Sequence, residues 1–472
     1  MRHARVVLGK LLRMSGAAQR CIARRASLPV LAALALIVPA AASSALAVRV
    51  VAGPVIGDVT AGTARVWFQI STSDSVRIHC YDVVSGNEVS AMKLGVRGPP
   101  PFVCDAAING LKPNRNYSIK AYVGHRRLML THINIHTAPP RRDPGRFTVA
   151  FGSCMHVHYP AQNTIWKAIS NTQCQAMIFA GNVGYLPPTL KQFPVTHDHT
   201  YWKLAFHDQH VRDFAPARAL LASTAIYATW DDRDYGPRHS NGSFVFKPEA
   251  LQIFRRYWPN PYYGRAAAPG TYCRFTIGDA QFFLLDDRSH RAARKAAPGG
   301  SMLGAVQLAW LKKRLTQSHA GFNIIVDGEP MVPAYTRRGA WARFARERHA
   351  FIHWIFHHGV KGVIFLSGHR KFGELTCRPP QPGHPDQYPL YELTSSSLNG
   401  ALAKPAAQQK INPWRVGRAY FNNNFGLLHF AGPLNDRHVV LELRSATGRR
   451  VLSKALFSGA LSGYLSHGAT PR

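Results

Sequence analysis

Six apolar runs, each ending in a short polar stretch, constrain this chain more than any other feature. Phe147-Thr148-Val149-Ala150-Phe151 leads into Gly152-Ser153-Cys154, and Ala176-Met177-Ile178-Phe179-Ala180 leads into Gly181-Asn182. Ala225-Ile226-Tyr227-Ala228 leads into Thr229-Trp230-Asp231-Asp232-Arg233-Asp234-Tyr235-Gly236. Phe282-Phe283-Leu284-Leu285-Asp286 and Asn323-Ile324-Ile325-Val326-Asp327 follow, and Val363-Ile364-Phe365-Leu366 closes on Ser367-Gly368-His369. Runs of this kind fit strands buried on both faces, as in a parallel sheet covered by helices. Helical segments fill the intervals: Gln162 to Ser170, Glu249 to Tyr257, Val306 to Leu315 and Trp341 to His357. The repetition predicts a layered α/β domain whose functional groups gather along one edge, outside the carboxyl ends of its strands.

The Asp231-Asp232-Arg233-Asp234 stretch is the richest of these strand ends. Hard metal ions want such oxygen ligands, and phosphate esters want such metals. The alternative is an acidic turn that caps a following helix. The partners supplied by the other strand ends decide between them.

Residues 48–140 read differently. Thr63 to Ile70 and Val76 to Val83 mostly alternate, as half-buried strands do. Leu111-Lys112-Pro113, then Tyr117 ahead of Ser118 to Tyr122, resembles the corner of a fibronectin-type sandwich. Pro139-Pro140-Arg141-Arg142-Asp143-Pro144-Gly145 is a linker by composition. The expected fold class is therefore a layered α/β (α+β) domain over 146–465, preceded by an all-β immunoglobulin/fibronectin-like sandwich over 48–140. Before it, Arg24-Arg25, the apolar Leu28 to Ala42 and the small-x-small Ala45-Leu46-Ala47 form an export signal over 1–47. Arg24-Arg25-Ala26-Ser27-Leu28 resembles a twin-arginine signal. An exported protein, periplasmic or extracellular, is expected, with no membrane span after signal removal.

Lys and Arg number 58 against 24 Asp and Glu, a formal net charge of +34. Seven of the basic residues and none of the acids fall in the first 47 positions, so the excess persists beyond them. Such a field draws phosphorylated or other anionic partners, nucleic acid only non-specifically. A basic, well-solvated exported protein shows the same balance. An oxidising compartment permits disulfides, and Cys80 with Cys104 is the expected pair.

These strand ends, in this order, resemble the PhoD-like alkaline phosphatase family, a branch of the calcineurin-like metallophosphoesterases. The likeness rests on Phe151-Gly152-Ser153-Cys154, the Trp230 to Gly236 stretch, Leu284-Leu285-Asp286-Asp287-Arg288, Met302 to Leu311, Phe365-Leu366-Ser367-Gly368 and Tyr391 to Ser396. It implies two metals, often iron with calcium, that activate a hydroxide against a phosphate ester. Cys154 and Tyr185 match the family's iron ligands, and Asp231, Asp232 and Asp234 are kept. Four positions depart. Asn182 stands where the family has a metal-bridging Asp, and Arg233 stands where it has a His. His369 and Lys371 replace the Asp and His of Ser-Gly-Asp-x-His. His156 also occupies a place often held by Asp.

The substitutions share a direction. A neutral amide cannot share charge between two cations, and an ammonium or guanidinium is no metal ligand. A like charge at 4 Å costs roughly 4 kcal/mol even with generous screening. Cys154, His156, Asp232 and His369 could hold one transition metal if they converge, and none otherwise. Arg233 and Lys371, with Arg238 and Arg370, supply cations for phosphate or counter-ions for the acidic loop. Three readings stay open: a phosphoesterase with an impaired site, a non-catalytic pseudophosphatase with a basic phosphoanion-binding cleft, and a structural envelope protein.

Overall fold

The computed structural model describes residues 48–463, apart from 131–132, 158–163, 184–210, 294–295, 297–298, 335–339 and 406–411. The expected export signal and Tyr185 lie outside the described residues. From Val48 onward the chain forms one compact unit.

Two large mixed sheets build the centre. The first has nine strands, in the order Arg450–Phe457, His438–Ser445, Asn424–Ala431, Phe147–Gly152, Ala176–Ala180, Ala225–Thr229, Val50–Gly57, Ala64–Ile70 and Phe102–Ile108. Phe147–Gly152, Ala176–Ala180 and Ala225–Thr229 run parallel in its middle. The second has seven, in the order Cys273–Ile277, Ala280–Leu284, Phe322–Asp327, Val363–Ser367, Leu390–Thr394, Gly373–Arg378 and Arg415–Tyr420. Its inner strands Ala280–Leu284, Phe322–Asp327, Val363–Ser367 and Leu390–Thr394 are also parallel.

The continuous apolar runs are explained by burial on both faces. Every residue of Ala176–Ala180 and Ala225–Thr229 is buried, as is every residue of Phe322–Asp327 and Val363–Ser367. One face of each sheet enters a shared core, where Tyr227 of the first stacks on Phe275 of the second with ring centroids 3.5 Å apart. Each fully buried Ile or Phe contributes about 1.5–3 kcal/mol. Helices cover an outer face. Lys247–Tyr257 buries Leu251, Ile253 and Phe254 in a second cluster with Trp230 and Tyr235. Its first turn carries Glu249 and its last Arg255 and Arg256, in keeping with the helix dipole.

The N-terminal segment is all-β, and its strands divide between sheets. Val50–Gly57 pairs in parallel with Ala225–Thr229 and so extends the nine-stranded sheet. Val76–Asp82, Glu88–Leu94, Asn116–Val123, Arg126–Arg127 and Asn134–His136 form a separate five-stranded sheet. The hydroxyl of buried Tyr117 accepts the Lys112 backbone N–H at 2.8 Å. The expected Cys80–Cys104 disulfide is not formed. Cys80 and Cys104 stand on strands of different sheets as buried thiols, and burial pushes both up to about 12. They serve as small apolar core side chains. No helix among the described residues is long and apolar enough to cross a membrane.

Candidate functional site

The carboxyl ends of the parallel strands from both sheets meet at one edge. Backbone bonds join them: Gly368 N–H to Gly328 O at 3.1 Å, Cys154 N–H to Gly181 O at 3.2 Å and Leu398 N–H to Ser153 O at 2.8 Å. Gly368 is required by this approach, because a Cβ there would lie 2.4 Å from the Ser153 side chain and 2.6 Å from Ala180 O. Gly181, with φ of +74°, likewise leaves no room for a Cβ beside Asp231. The loops then turn sharply. Cys154, Asn182, His239, His369 and Lys371 all adopt left-handed backbone with φ between 56° and 68°. This region is sparsely used by residues other than Gly, and such residues gather at functional loops.

Asp231 is the hub. It is fully buried at the end of Ala225–Thr229. Its Oδ2 receives the Asn182 amide and the His369 Nδ1, the latter at 2.5 Å. Its Oδ1 receives the Arg288 guanidinium, which also reaches Glu329 Oε1 and lies 3.2 Å from Asp287 Oδ1. Glu329 Oε2 lies 2.9 Å from Arg291. Asp231, Glu329 and His369 bring ligand atoms within 4.8 Å of one another, the one such group among the described residues.

Burial is the largest single influence on every group in this cluster, and the neighbouring charges decide where it prevails. Burial raises the Asp231 carboxyl, but His369 and Arg288 outweigh it and hold the group far below the usual carboxylate range. Burial likewise raises Glu329, while Arg291 and Arg288 bring it down to about 2. Burial lowers His369, but Asp231 lifts it above the ordinary imidazole value. Asp287 and Asp327 are pushed well up, first by burial and then by the neighbouring acids. The Asp231 and Glu329 carboxylates thus face two guanidiniums and an imidazolium.

The remaining acids are committed elsewhere. Asp234 accepts the backbone N–H groups of Asn182 at 2.5 Å, Val183 at 2.7 Å and Asp231 at 2.9 Å, so it clamps two strand ends together. Asp232 accepts the His239 N–H at 3.2 Å. Asp286 takes the Trp230 indole at 2.7 Å and the N–H groups of Thr271, Arg288 and Ser289. Cys154 is buried, and its Sγ receives the Ser396 hydroxyl at 3.3 Å. The His156 backbone is held by Asn399 at 2.7 and 3.1 Å. Cys154, His156 and Asp232 stand outside the group that converges with His369. Arg233 donates its backbone N–H to Asn182 Oδ1 at 3.1 Å. Lys371 is fixed by its backbone, N–H to Ser396 Oγ at 2.8 Å and carbonyl to Ala403 N–H at 2.9 Å. The counter-ions expected from Arg233 and Lys371 come instead, at Asp231, from Arg288 and His369.

Arg288, Arg291 and Glu329 carry no role in the sequence reading, yet they complete the cluster. Glu329 sits two residues beyond Phe322–Asp327, and Arg288 sits four beyond Ala280–Leu284. Their signal was positional: charged groups just past strands as apolar as those that lead to Asp231 and His369.

The donors among the described residues do not fit two divalent cations. Both Asp231 oxygens are taken, and Glu329 is shared between two arginines. His369 would have to lose its proton and Arg288 leave. A dication at 4 Å from one such guanidinium meets roughly 8 kcal/mol of repulsion at an effective dielectric of about 20.

The family model of the PhoD-like phosphatases matches residues 149–432. Among solved structures, one described as PhoD matches with a TM-score of 0.69 at 18% identity, covering 86% of this chain and 88% of that one. The purple acid phosphatase PPD1 from yellow lupin (Lupinus luteus) matches with a TM-score of 0.61 at 13% identity, covering 89% of this chain and 77% of that one. Both likenesses concern the fold. Among curated proteins none matches.

Proposed function

This chain belongs to the PhoD-like phosphatase family, and from that premise we propose that it is a member whose phosphate-ester hydrolysis is impaired, its site a set of ion pairs where the family implies metals. The observation that carries the reading is Arg288, whose guanidinium bridges Asp231 and Glu329 inside the only His/Cys/Asp/Glu group that converges among the described residues. An internal cation neutralises the acids that a metal would need. What the edge retains is capacity to bind a phosphate-bearing anion: Lys371 makes no ion pair among the described residues and sits on the same turn as His369, within a strongly basic chain.

The direct test is metal analysis of freshly purified protein beside turnover of bis-p-nitrophenyl phosphate. Substoichiometric metal and no chelator-sensitive turnover are expected. Two bound metals with chelator-sensitive turnover overturn the reading.

Two further assignments belong with this proposal. Export to the periplasm or the cell exterior rests on Arg24-Arg25, the apolar Leu28 to Ala42 and Ala45-Leu46-Ala47. Amino-terminal sequencing of secreted protein is expected to begin at Val48. A fibronectin-like module over 48–140, ahead of a phosphatase domain over 146–465, is supported by the Tyr117 corner.

A further inference from the structure

The helix Ala345–His357 carries His349, His353 and His357, each four residues from the next. That spacing sets successive side chains on one face, with neighbouring Cβ atoms about 5–6 Å apart. The opposite face buries Phe351, Ile352, Ile355 and Phe356, which fixes the helix against the core. His349, His353 and His357 are all exposed. The acidic edge uses none of them.

Two of the rings stand together. The His353 and His357 ring centroids lie 5.7 Å apart, with 18° between the ring planes. Among the described residues neither ring makes a hydrogen bond or an ion pair, so both keep nitrogen lone pairs to offer. Metal–nitrogen bonds of ~2.0–2.1 Å in tetrahedral geometry set two ligating ring centres about 5 Å apart. The observed spacing therefore calls for side-chain rotation and no movement of the helix. His349 lies two helical steps from His357, roughly 12 Å along the axis at ~1.5 Å per residue, too far for one ion to join them.

The donors select the ion. Imidazole nitrogen suits Zn²⁺, Cu²⁺ and Ni²⁺, whereas Ca²⁺ and Mg²⁺ want oxygen. The pair also spans the last turn, and His357 is the final helical residue. Unsatisfied carbonyls at a helix carboxyl end carry partial negative charge and favour a cation there. The positive field of the chain works against one, but salt screens that field beyond about 8 Å at an exposed site, while coordination acts at the length of a bond. We propose that His353 and His357 together hold one divalent transition-metal ion on the outer face of this helix, with water in its remaining coordination positions.

The test titrates the full chain with NiCl₂ by calorimetry at about pH 8, because ligation requires the neutral imidazole. Wild type is expected to bind about one equivalent more than a His353→Gln/His357→Gln double variant. His353→Gln or His357→Gln alone is expected to weaken that site at least tenfold, about the smallest loss seen even when a metal ligand loses only its supporting partner. His349→Gln is expected to leave the site in place, and CaCl₂ to bind wild type and double variant alike. Wild type and double variant with the same Ni²⁺ stoichiometry and affinity overturn the proposal. So does a site lost in His349→Gln and kept in His357→Gln. Circular dichroism confirms that these exposed changes leave the fold intact. Neither result bears on the acidic edge, which bis-p-nitrophenyl phosphate turnover reports separately.

Discussion

Replacing Arg288 with Met removes a buried cation that touches Asp231, Asp287 and Glu329 at once. Asp231 and Glu329 are left with oxygen atoms no more than 4.8 Å apart. Two unit negative charges at that separation repel by about 3.5 kcal/mol at an effective dielectric of ~20. The figure agrees with the roughly 3–5 kcal/mol seen when one partner of a buried pair is removed. With an unfolding entropy of ~2.1 cal/mol/K per residue over about 420 residues, ~4 kcal/mol lowers the melting temperature by roughly 4–5 °C. Glu329 is held low, at about 2 against 4.5, so the stability it lends wild type is present above pH 4.5 and lost as pH falls through 2. The gap between wild type and variant is therefore widest near neutral pH and narrows as the acids left without Arg288 take up protons. Circular dichroism melts from about pH 2 to 8 measure this. The variant should also gain stability from millimolar Ca²⁺ or Mn²⁺, which wild type should not. A variant that melts within about 1 °C of wild type near neutral pH, or a wild type that gains as much from the metals, refutes the reasoning.

Glu392 is fully buried, accepts the Met331 and Val332 N–H groups, and is raised by burial to about 7 from 4.5. Its contribution to stability is full below pH 4.5 and lost as pH rises through 7, a decline of roughly 3 kcal/mol. Glu392→Gln should flatten that part of the pH profile in urea titrations; an unchanged slope rejects the assignment. Asp234→Ala removes acceptors for three backbone N–H groups and should cost about 2–4 kcal/mol, with faster amide exchange at Asn182 and Val183. In Asp231→Asn the His369 imidazole loses the carboxylate that raises it, so its NMR titration should move to lower pH; an unmoved curve assigns the shift to another group.

The strand ends were legible because strands buried on both faces cannot hide their apolar runs. Asp231, Asn182 and His369 accordingly meet where the alternation of runs and polar loops put them. The roles within the cluster were not legible. Asp232 and Asp234 look equivalent to Asp231 in sequence, and only the turn geometry gives Asp234 to three backbone amides. Arg288 and Glu329 come from strands of the opposite sheet, and pairing across two sheets leaves no periodic trace. The alternating N-terminal strands were read correctly as β. Alternation does not say which sheet a strand joins, so the union of Val50–Gly57 with Ala225–Thr229 could not be foreseen.

The left-handed turns at Cys154, Asn182, His369 and Lys371 have a consequence for anyone redesigning this edge. Their conformations cost about 1–3 kcal/mol each and are held by main-chain bonds such as Met155 N–H to Asn182 O at 2.9 Å and Cys154 N–H to Gly181 O at 3.2 Å. The mould is thus cast by backbone and side chains together, for Asp234 accepts the Asn182 N–H at 2.5 Å, Asn182 Oδ1 accepts the Arg233 N–H at 3.1 Å and Ser396 Oγ accepts the Lys371 N–H at 2.8 Å. Exchanging the His369 or Lys371 side chain leaves these three bonds in place, so new chemistry can be installed there by substitution, whereas a change at Asn182 also removes the acceptor of the Arg233 N–H.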